Sequence, residues 1–414
     1  QSATGVIIAN ALAVYDTTGD ITLDQANVLG TSTTAGIFAA QDTATGGNIT
    51  FANQTAVTTG LTIDTISTIP AVFNIAGNTV SGVTTNNGNA GTATGSISIY
   101  NGNTIAGTKG GALTINQAIN AGTNGGTAKA EGTVALVANG AVTQNATGVI
   151  IAGTLAVYDA TGDITLDQAN VLGTSTTAGI FAAKDSGTGG NITFTNQTAV
   201  TTGLTIDTVN TIPASFNIAG NTVSGVTTNN GNGVTATGSI SIYNGNTIAG
   251  TKGGVLTINQ AINAGTNSGT AKAEGTVVLV ANGAVTQSST GVITAGALGV
   301  YDAGGAIKID NDSNVLGTVT TPGVFAAVDT STDVNTPGHV TFSNQSNPSN
   351  GKPDLTIGLV SGIPASFNIG NTMSGVSTTS GNILLSYKGN VNIGELNRTT
   401  NVRDSANDGS IKIQ

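Results

Sequence analysis

The stretch GDITLDQANVLGTSTTAGIFAA at Gly19–Ala40 returns, letter for letter, at Gly162–Ala183. The match extends on both sides. Residues 1–143 align with 144–286 without a gap, differing at 16 positions and agreeing at 127. A third, diverged copy runs from Gln287 to Gln414, with a one-residue insertion near Asp312. The chain is therefore read as three tandem units, 1–143, 144–286 and 287–414, with no linker between them.

Within the repeated stretch, Ile21 and Leu23 alternate with Asp20, Thr22 and Asp24. A period of two marks a strand with one buried face. Similar Gly-led runs recur along the unit: GVIIA at Gly5, GNITF at Gly47, GLTID at Gly60, GSISIY at Gly95, GALTIN at Gly111 and GTVALV at Gly132. Extra runs, IFAA at Ile37 and FNIAG at Phe73, fill the longer gaps. Val, Ile, Thr and Tyr dominate these runs, and NNGN, GTNGG and TATGG separate them. No window carries a helical period with caps. A coil of about 20 residues with two or three short strands is expected, which is the turn size of a β-solenoid. The reading is all-β: a parallel β-helix of roughly 20 coils. A string of immunoglobulin-like sandwiches would need units of about 100 residues and linkers between them.

Composition agrees with thin, stacked coils. The chain has 414 residues, 60 of them Gly, with no Cys and no Trp; 38% are hydrophobic and 8% charged. Slim aliphatic side chains fill a narrow interior, and short strands leave little room for ion pairs. The net charge of −10 argues against nucleic acid, which needs a basic stripe. No apolar window reaches 18 residues, so no membrane insertion by a helix is expected. Aromatic residues follow the repeat, with Phe38, Phe51, Phe73, Tyr15 and Tyr100 answered by Phe181, Phe194, Phe216, Tyr158 and Tyr243. The third copy retains Phe325, Phe342, Phe367, Tyr301 and Tyr387, and Pro70, Pro213 and Pro364 recur too.

Runs such as TGDITLDQANVLGTSTTAGIFAA and GGNITFANQTAVTTGLTID resemble the central rod of filamentous-haemagglutinin-like exoproteins, bacterial surface adhesins of the two-partner secretion type, similar in style to autotransporter passengers. The resemblance covers essentially the whole chain and rests on composition and cadence. It implies a right-handed parallel β-helix, a secreted or cell-surface location and a possible outer-membrane secretion partner. The expected function is an extracellular structural and adhesive fibre or biofilm matrix component, with a host or neighbouring-cell glycan or protein as receptor. A head-to-tail filament or sheath subunit is the alternative, and a polysaccharide-degrading β-helix enzyme a weaker one. Unit 1 begins in phase at Gln1, so further copies of the repeat are expected end to end, in the same polypeptide or in another subunit.

Few residues offer chemistry. Asp16, Asp20 and Asp24 recur as Asp159, Asp163 and Asp167, a spacing that raises calcium as a ligand; in the third copy the set becomes Asp302, Ala306 and Asp310. The bland alternative is a solvated acidic row. His339 stands alone in TPGHVTF, without a metal cluster or a nucleophile motif beside it. Lys109, Lys129 and Glu131, repeated as Lys252, Lys272 and Glu274, are read as a glycan-contacting strip or as plain surface charge. The two Arg, Arg398 and Arg403, lie near the end. An enzyme of the β-helix class needs clustered carboxylates with a basic group at one place, which a duplicated body does not suggest. No catalytic residue, cofactor or enzyme activity is expected. Thr-rich tracts at Thr31 and Thr92 resemble ice-binding faces, against which their uneven spacing speaks. N-glycosylation sequons fall at Asn48, Asn53, Asn145, Asn191, Asn196, Asn311, Asn344 and Asn397.

Overall fold

The computed structural model describes the chain except for residues 56–58, 87–94, 104–110, 125–126, 129–131, 199–201, 230–237, 247–252, 268–269, 272–273, 319–320, 332–338, 345–353, 380, 388–389, 394–401, 405–410 and 414. It is all-β, and its long sheets are parallel, as a β-solenoid requires. Two compact units divide the chain: residues 1–186 with 208–223, and residues 187–207 with 224–414.

In the first unit the chain passes alternately between two parallel sheets. One holds Ile8–Ala9, Ile21–Leu29, Ile49–Thr55, Ile97–Asn103, Thr133–Ala138, Thr154–Asp159 and Gly179–Thr188, each in register with the next. The other runs from Ala11–Asp16 through Gly36–Thr45 to Leu61–Ile63, Leu113–Ile115, Val142–Gln144 and Ile164–Leu172. Inward residues of the two sheets meet between them: Phe38 and Phe51 stack with centroids 3.9 Å apart and planes 10° apart. The Gly-led runs supply the strands because their alternate Ile, Val and Leu can all be buried on one side. Thus Ile49, Phe51, Ile97, Ile99, Val134 and Leu136 are fully buried, while Thr50 keeps partial contact with solvent.

The second unit has the same plan. Ile192–Thr198, Ile240–Asn246, Thr276–Ala281, Ala297–Asp302 and Gly323–Asp329 form one parallel series. Leu204–Ile206, Leu256–Ile258, Val285–Gln287, Ile307–Ile309, Val340–Asn344 and Ile383–Tyr387 form the other. Phe325 and Phe342 repeat the cross-core stack at 4.0 Å.

One feature departs from the sequence reading, and a second lies outside it. The first is coil length. Successive partners in the first sheet are separated by 20, 28, 48, 37, 21 and 26 residues, so the expected 20-residue coil is the short end of a range. Register is set by the strands, and lengthening a loop between them costs only slowly growing closure entropy, so insertions are tolerated. The second is the phase of the repeat. Strand Ala11–Asp16 and its copy Thr154–Asp159 lie in opposite sheets, and so do Ile240–Asn246 and its copy Ile383–Tyr387. One 143-residue repeat therefore spans a half-integral number of turns.

The largest insertion is a flap. Strand Gly36–Thr45 pairs with both Leu61–Ile63 and Val83–Asn86, and residues 65–81 leave the rung between them. Thr65–Ile66 and Val80–Ser81 close the flap as an antiparallel pair. At its tip Pro70 leads a 3₁₀ turn, Ala71–Phe73, which Asn74 ends in the left-handed region at φ 54°. FNIAG is thus a turn rather than the strand its alternation suggested. Gly82 brings the chain back into the rung at φ 64°, where an added Cβ would lie 2.2 Å from the Ala118 carbonyl oxygen. The flap recurs at 208–223 and 359–374, with Asn217 at φ 55° and Asn368 at φ 54°.

Candidate functional site: buried carboxylates and repeated flaps

The six candidate calcium ligands are divided by turns. Asp16 ends its strand, and its carboxylate accepts backbone N–H bonds from Thr17 at 2.7 Å, Thr18 at 3.3 Å and Gly19 at 3.1 Å. Asp20 lies beyond that turn and accepts from the Asn48 backbone at 2.9 Å and side chain at 3.2 Å. Asp24 and Asp167 each accept from the amide of the following Gln, at 2.9 and 2.8 Å. Asp163 is exposed, and Asp159 is fully buried, accepting from Thr161 N–H at 3.1 Å and Gly162 N–H at 2.7 Å. Among the described residues no three acidic or His side chains are grouped as a metal would need.

The structure instead pairs aspartates that sequence spacing kept apart. Asp16 stands in register with Asp42, Asp159 with Asp185, and Asp302 with Asp329, one rung above another. All but Asp16 are at most 1% exposed. Burial pushes the Asp159 carboxyl up to about 7, against the pull of its backbone N–H donors, with the Asp163 charge adding to the rise. Burial also pushes Asp329 up to about 7, and the neighbouring Asp302 charge adds to it despite the Ser331 N–H bond. Asp42 is raised by burial too, opposed by the Ala44 N–H and assisted by the charges of Asp16 and Asp20. Desolvation disfavours the charged form, and a like charge one rung away disfavours it further.

Beside the carboxylates runs an amide ladder. Asn53 donates to Asn101 Oδ1 at 2.9 Å and accepts from Leu29 N–H at 2.8 Å; Asn101 donates to the Gly111 carbonyl at 2.9 Å. Asn196, Asn244 and the Gly254 carbonyl repeat the pattern at 2.9 Å for each bond. Three sequon residues, Asn53, Asn196 and Asn344, are therefore 0–3% exposed and closed to a glycosyltransferase. Asn397 lies outside the described residues.

The remaining candidates fall apart in space or outside view. Lys109, Lys129, Glu131, Lys252, Lys272 and Arg398 lie outside the described residues; Glu274 is exposed. His339 accepts the Asn382 N–H on Nδ1 at 2.9 Å, bridging two rungs. Thr31 sits in an exposed turn, and Thr92 is outside the described residues. Yet Thr62, Thr114, Thr143 and Thr165 stand in register on four successive rungs, so uneven sequence spacing did not prevent a Thr column.

Each flap lies on the outer face of a sheet. In the first unit, Phe216, Ile212, Val209 and Val223 cover Ala52, Ala135, Val137, Ala156 and Ala182. The Tyr100 ring packs on Phe216 with centroids 5.5 Å apart, and Phe216 is 2% exposed. In the second unit Phe367, Ile363, Val360 and Met373 cover Val278, Val280 and Ala326, with Tyr243 5.5 Å from Phe367. Recurrence of Pro and Phe was legible in the sequence; that these residues roof a second, external core was not. One expected equivalence also fails. Tyr387 pairs with Asn344, the register Asn101 holds against Asn53, whereas Ser386 takes the register of Tyr100. Strand Ile383–Tyr387 carries its tyrosine one position later than Ile97–Asn103 does.

No protein-family model, curated protein or solved structure matches the chain.

Proposed function

We propose that this chain is an extracellular structural and adhesive fibre, a stiff β-helical rod of a bacterial surface adhesin or matrix protein. The observation that carries the reading is the threefold recurrence of one flap backbone along stacked parallel rungs, roofing the outer face of a sheet in two of its copies. Such a molecule offers the same surface repeatedly. Weak contacts to a glycan or protein on a host or neighbouring cell then add through multivalency. Rungs that form by adding to a neighbour also suit export of an unfolded chain through an outer-membrane partner.

We read the chain as non-catalytic. The two carboxyls pushed to about 7 sit fully buried against the next rung, so their shift reports desolvation inside the wall rather than an acid facing a substrate. The test is antibody labelling of intact producing cells, combined with adhesion of those cells to glycan- or protein-coated surfaces. The expected result is surface label and adhesion that soluble chain competes away. Label confined to the cell interior, or adhesion indifferent to the soluble chain, contradicts the proposal.

A further inference from the structure

Buried polar atoms are nearly always hydrogen-bonded, yet the Oδ2 atoms of Asp42 and Asp329 are closed to solvent and have no hydrogen-bond partner. Both residues turn inward: Asp329 follows Phe325 and Ala327 along the buried side of Gly323–Asp329. The first oxygen of each is engaged by its own turn. Asp42 Oδ1 accepts the Ala44 N–H and Asp329 Oδ1 the Ser331 N–H, both at 2.8 Å. At Asp42 the backbone closes over the second oxygen, since a Cβ added to Gly47 would lie 2.1 Å from it.

Across the rung from Asp329 stands another carboxyl. Asp302 is in register with it, is fully buried, and is anchored the same way, its Oδ1 accepting the Gly304 N–H at 2.9 Å. Strand neighbours at ~4.8 Å bring stacked carboxyls within reach of one O–H···O bond. Two ionised carboxylates at that spacing, away from water, repel each other with little screening. A protonated carboxyl supplies the one donor such a pair needs, and O–H···O⁻ bonds are short and strong. Around the pair, Ala281 stands opposite Asp302 on its other side, and Thr378 opposite Asp329. Lys308 and Asp310, on the strand after Asp302, pair with each other at 3.4 Å, Lys308 being 59% exposed. Asp404 is in register with Thr378 one rung further on, next to Arg403 in the chain. The charge that acts on Asp329 is that of Asp302.

We infer that Asp302 and Asp329 bind one proton between them, an acid on one rung donating to a carboxylate on the next, and that this proton latches the two rungs together. The same register joins the buried Asp159 to Asp185, so the latch recurs with the repeat. Such a proton belongs to the pair rather than to either residue, so loss of either carboxyl ends the shared titration. The rise of Asp329 to about 7, by burial and by the Asp302 charge, agrees with a proton held up to neutral pH.

The test compares D302N with D329N in the full chain. An Asn amide replaces the acid as donor and leaves a single carboxylate. Each variant is therefore expected to remove the same share of the fall in unfolding midpoint between pH 5 and pH 8. Loss of that share in D329N but not in D302N would show desolvation of Asp329 alone, and overturns the inference. Carboxyl-¹³C aspartate NMR reads the proton itself. In D302N the Asp329 carboxyl is expected to titrate about 2 pH units lower than in the unsubstituted chain. An unmoved titration overturns the pair. In the unsubstituted chain, whose folding no substitution disturbs, aspartate resonances that titrate near 7 are expected to move in pairs with common midpoints. A resonance that moves there alone overturns the sharing. Calcium added at pH 8 separates a proton site from a cation site. The unfolding midpoint is expected to stay unchanged, and a rise that D302N abolishes overturns the proton as ligand.

Discussion

Strand Ala11–Asp16 and strand Thr154–Asp159 carry the same five residues, Leu-Ala-Val-Tyr-Asp, 143 positions apart. Their surroundings differ. Leu155, Val157 and Asp159 are fully buried, with a rung on either side; Leu12, Val14 and Asp16 keep partial exposure, with a rung on one side among the described residues. The flaps that follow differ in the same way, Phe216 at 2% exposure and Phe73 at 66%. Local sequence dictates the strand, the turn and the flap backbone in both copies. Burial, and everything that follows from it, comes from the neighbouring rung. In a solenoid the energetic unit is the interface between rungs.

The widest gap between the copies is expected at the flap phenylalanines. F216A removes a buried ring from the external core and is expected to cost about 3–5 kcal/mol. F73A, at an exposed position, is expected to stay within about 1 kcal/mol. Denaturant unfolding of the two variants measures both, and equal losses would break the comparison.

The buried carboxyls give the next effect. Asp159 and Asp329 hold their protons up to about 7 in the folded chain, above the ordinary carboxylate value of 3.8 they regain on unfolding. The folded state therefore binds more protons between these limits. The stabilisation is fully present below the unfolded value and is lost as pH rises through about 7, amounting to a few kcal/mol per group at most. The unfolding midpoint should fall from pH 5 to pH 8. D159N and D329N should each flatten that fall, and a midpoint that rises with pH contradicts the assignment.

A smaller loss is expected for N53A, which strips the Leu29 N–H of its acceptor and Asn101 Oδ1 of a donor, at about 1–3 kcal/mol. The same burial predicts that Asn53, Asn196 and Asn344 carry no glycan when the chain is made in a glycosylating host, as intact-peptide mass spectrometry would read. The smallest effect belongs to K308A. Lys308 lies 3.4 Å from Asp310 but is 59% exposed, and loss of such a pair should stay within about 0.5 kcal/mol.

How much of this was legible beforehand depended on what each pattern measures. Alternation reads which side of a strand is buried, so GDITL, GNITF, GSISIY and GTVALV were found as strands. It does not measure how much chain is looped out between rungs, so the coil length was underestimated. Alternation in FNIAG misled because Pro70 and the left-handed Asn74 bend those residues into a turn. The aspartate triplet is divided in space for a related reason: the Asp16 turn, which nothing in the spacing of four marks, parts Asp16 from Asp20 and Asp24. Register partners such as Asp159 and Asp185, or Asn53 and Asn101, are 26 and 48 residues apart, and nothing local marks them. The half-turn phase of the repeat is invisible for the same reason.

In-register parallel stacking is tested most directly by disulfide trapping along the outward Thr column, in a chain that has no cysteine of its own. Adjacent rungs place Thr62 opposite Thr114 and Thr114 opposite Thr143. Strand neighbours at ~4.8 Å suit a disulfide, and a skipped rung at roughly twice that does not. T62C/T114C and T114C/T143C should therefore cross-link under mild oxidation, while T62C/T143C should not. Cross-linking of T62C/T143C with both adjacent pairs left reduced would contradict the stacked-rung account.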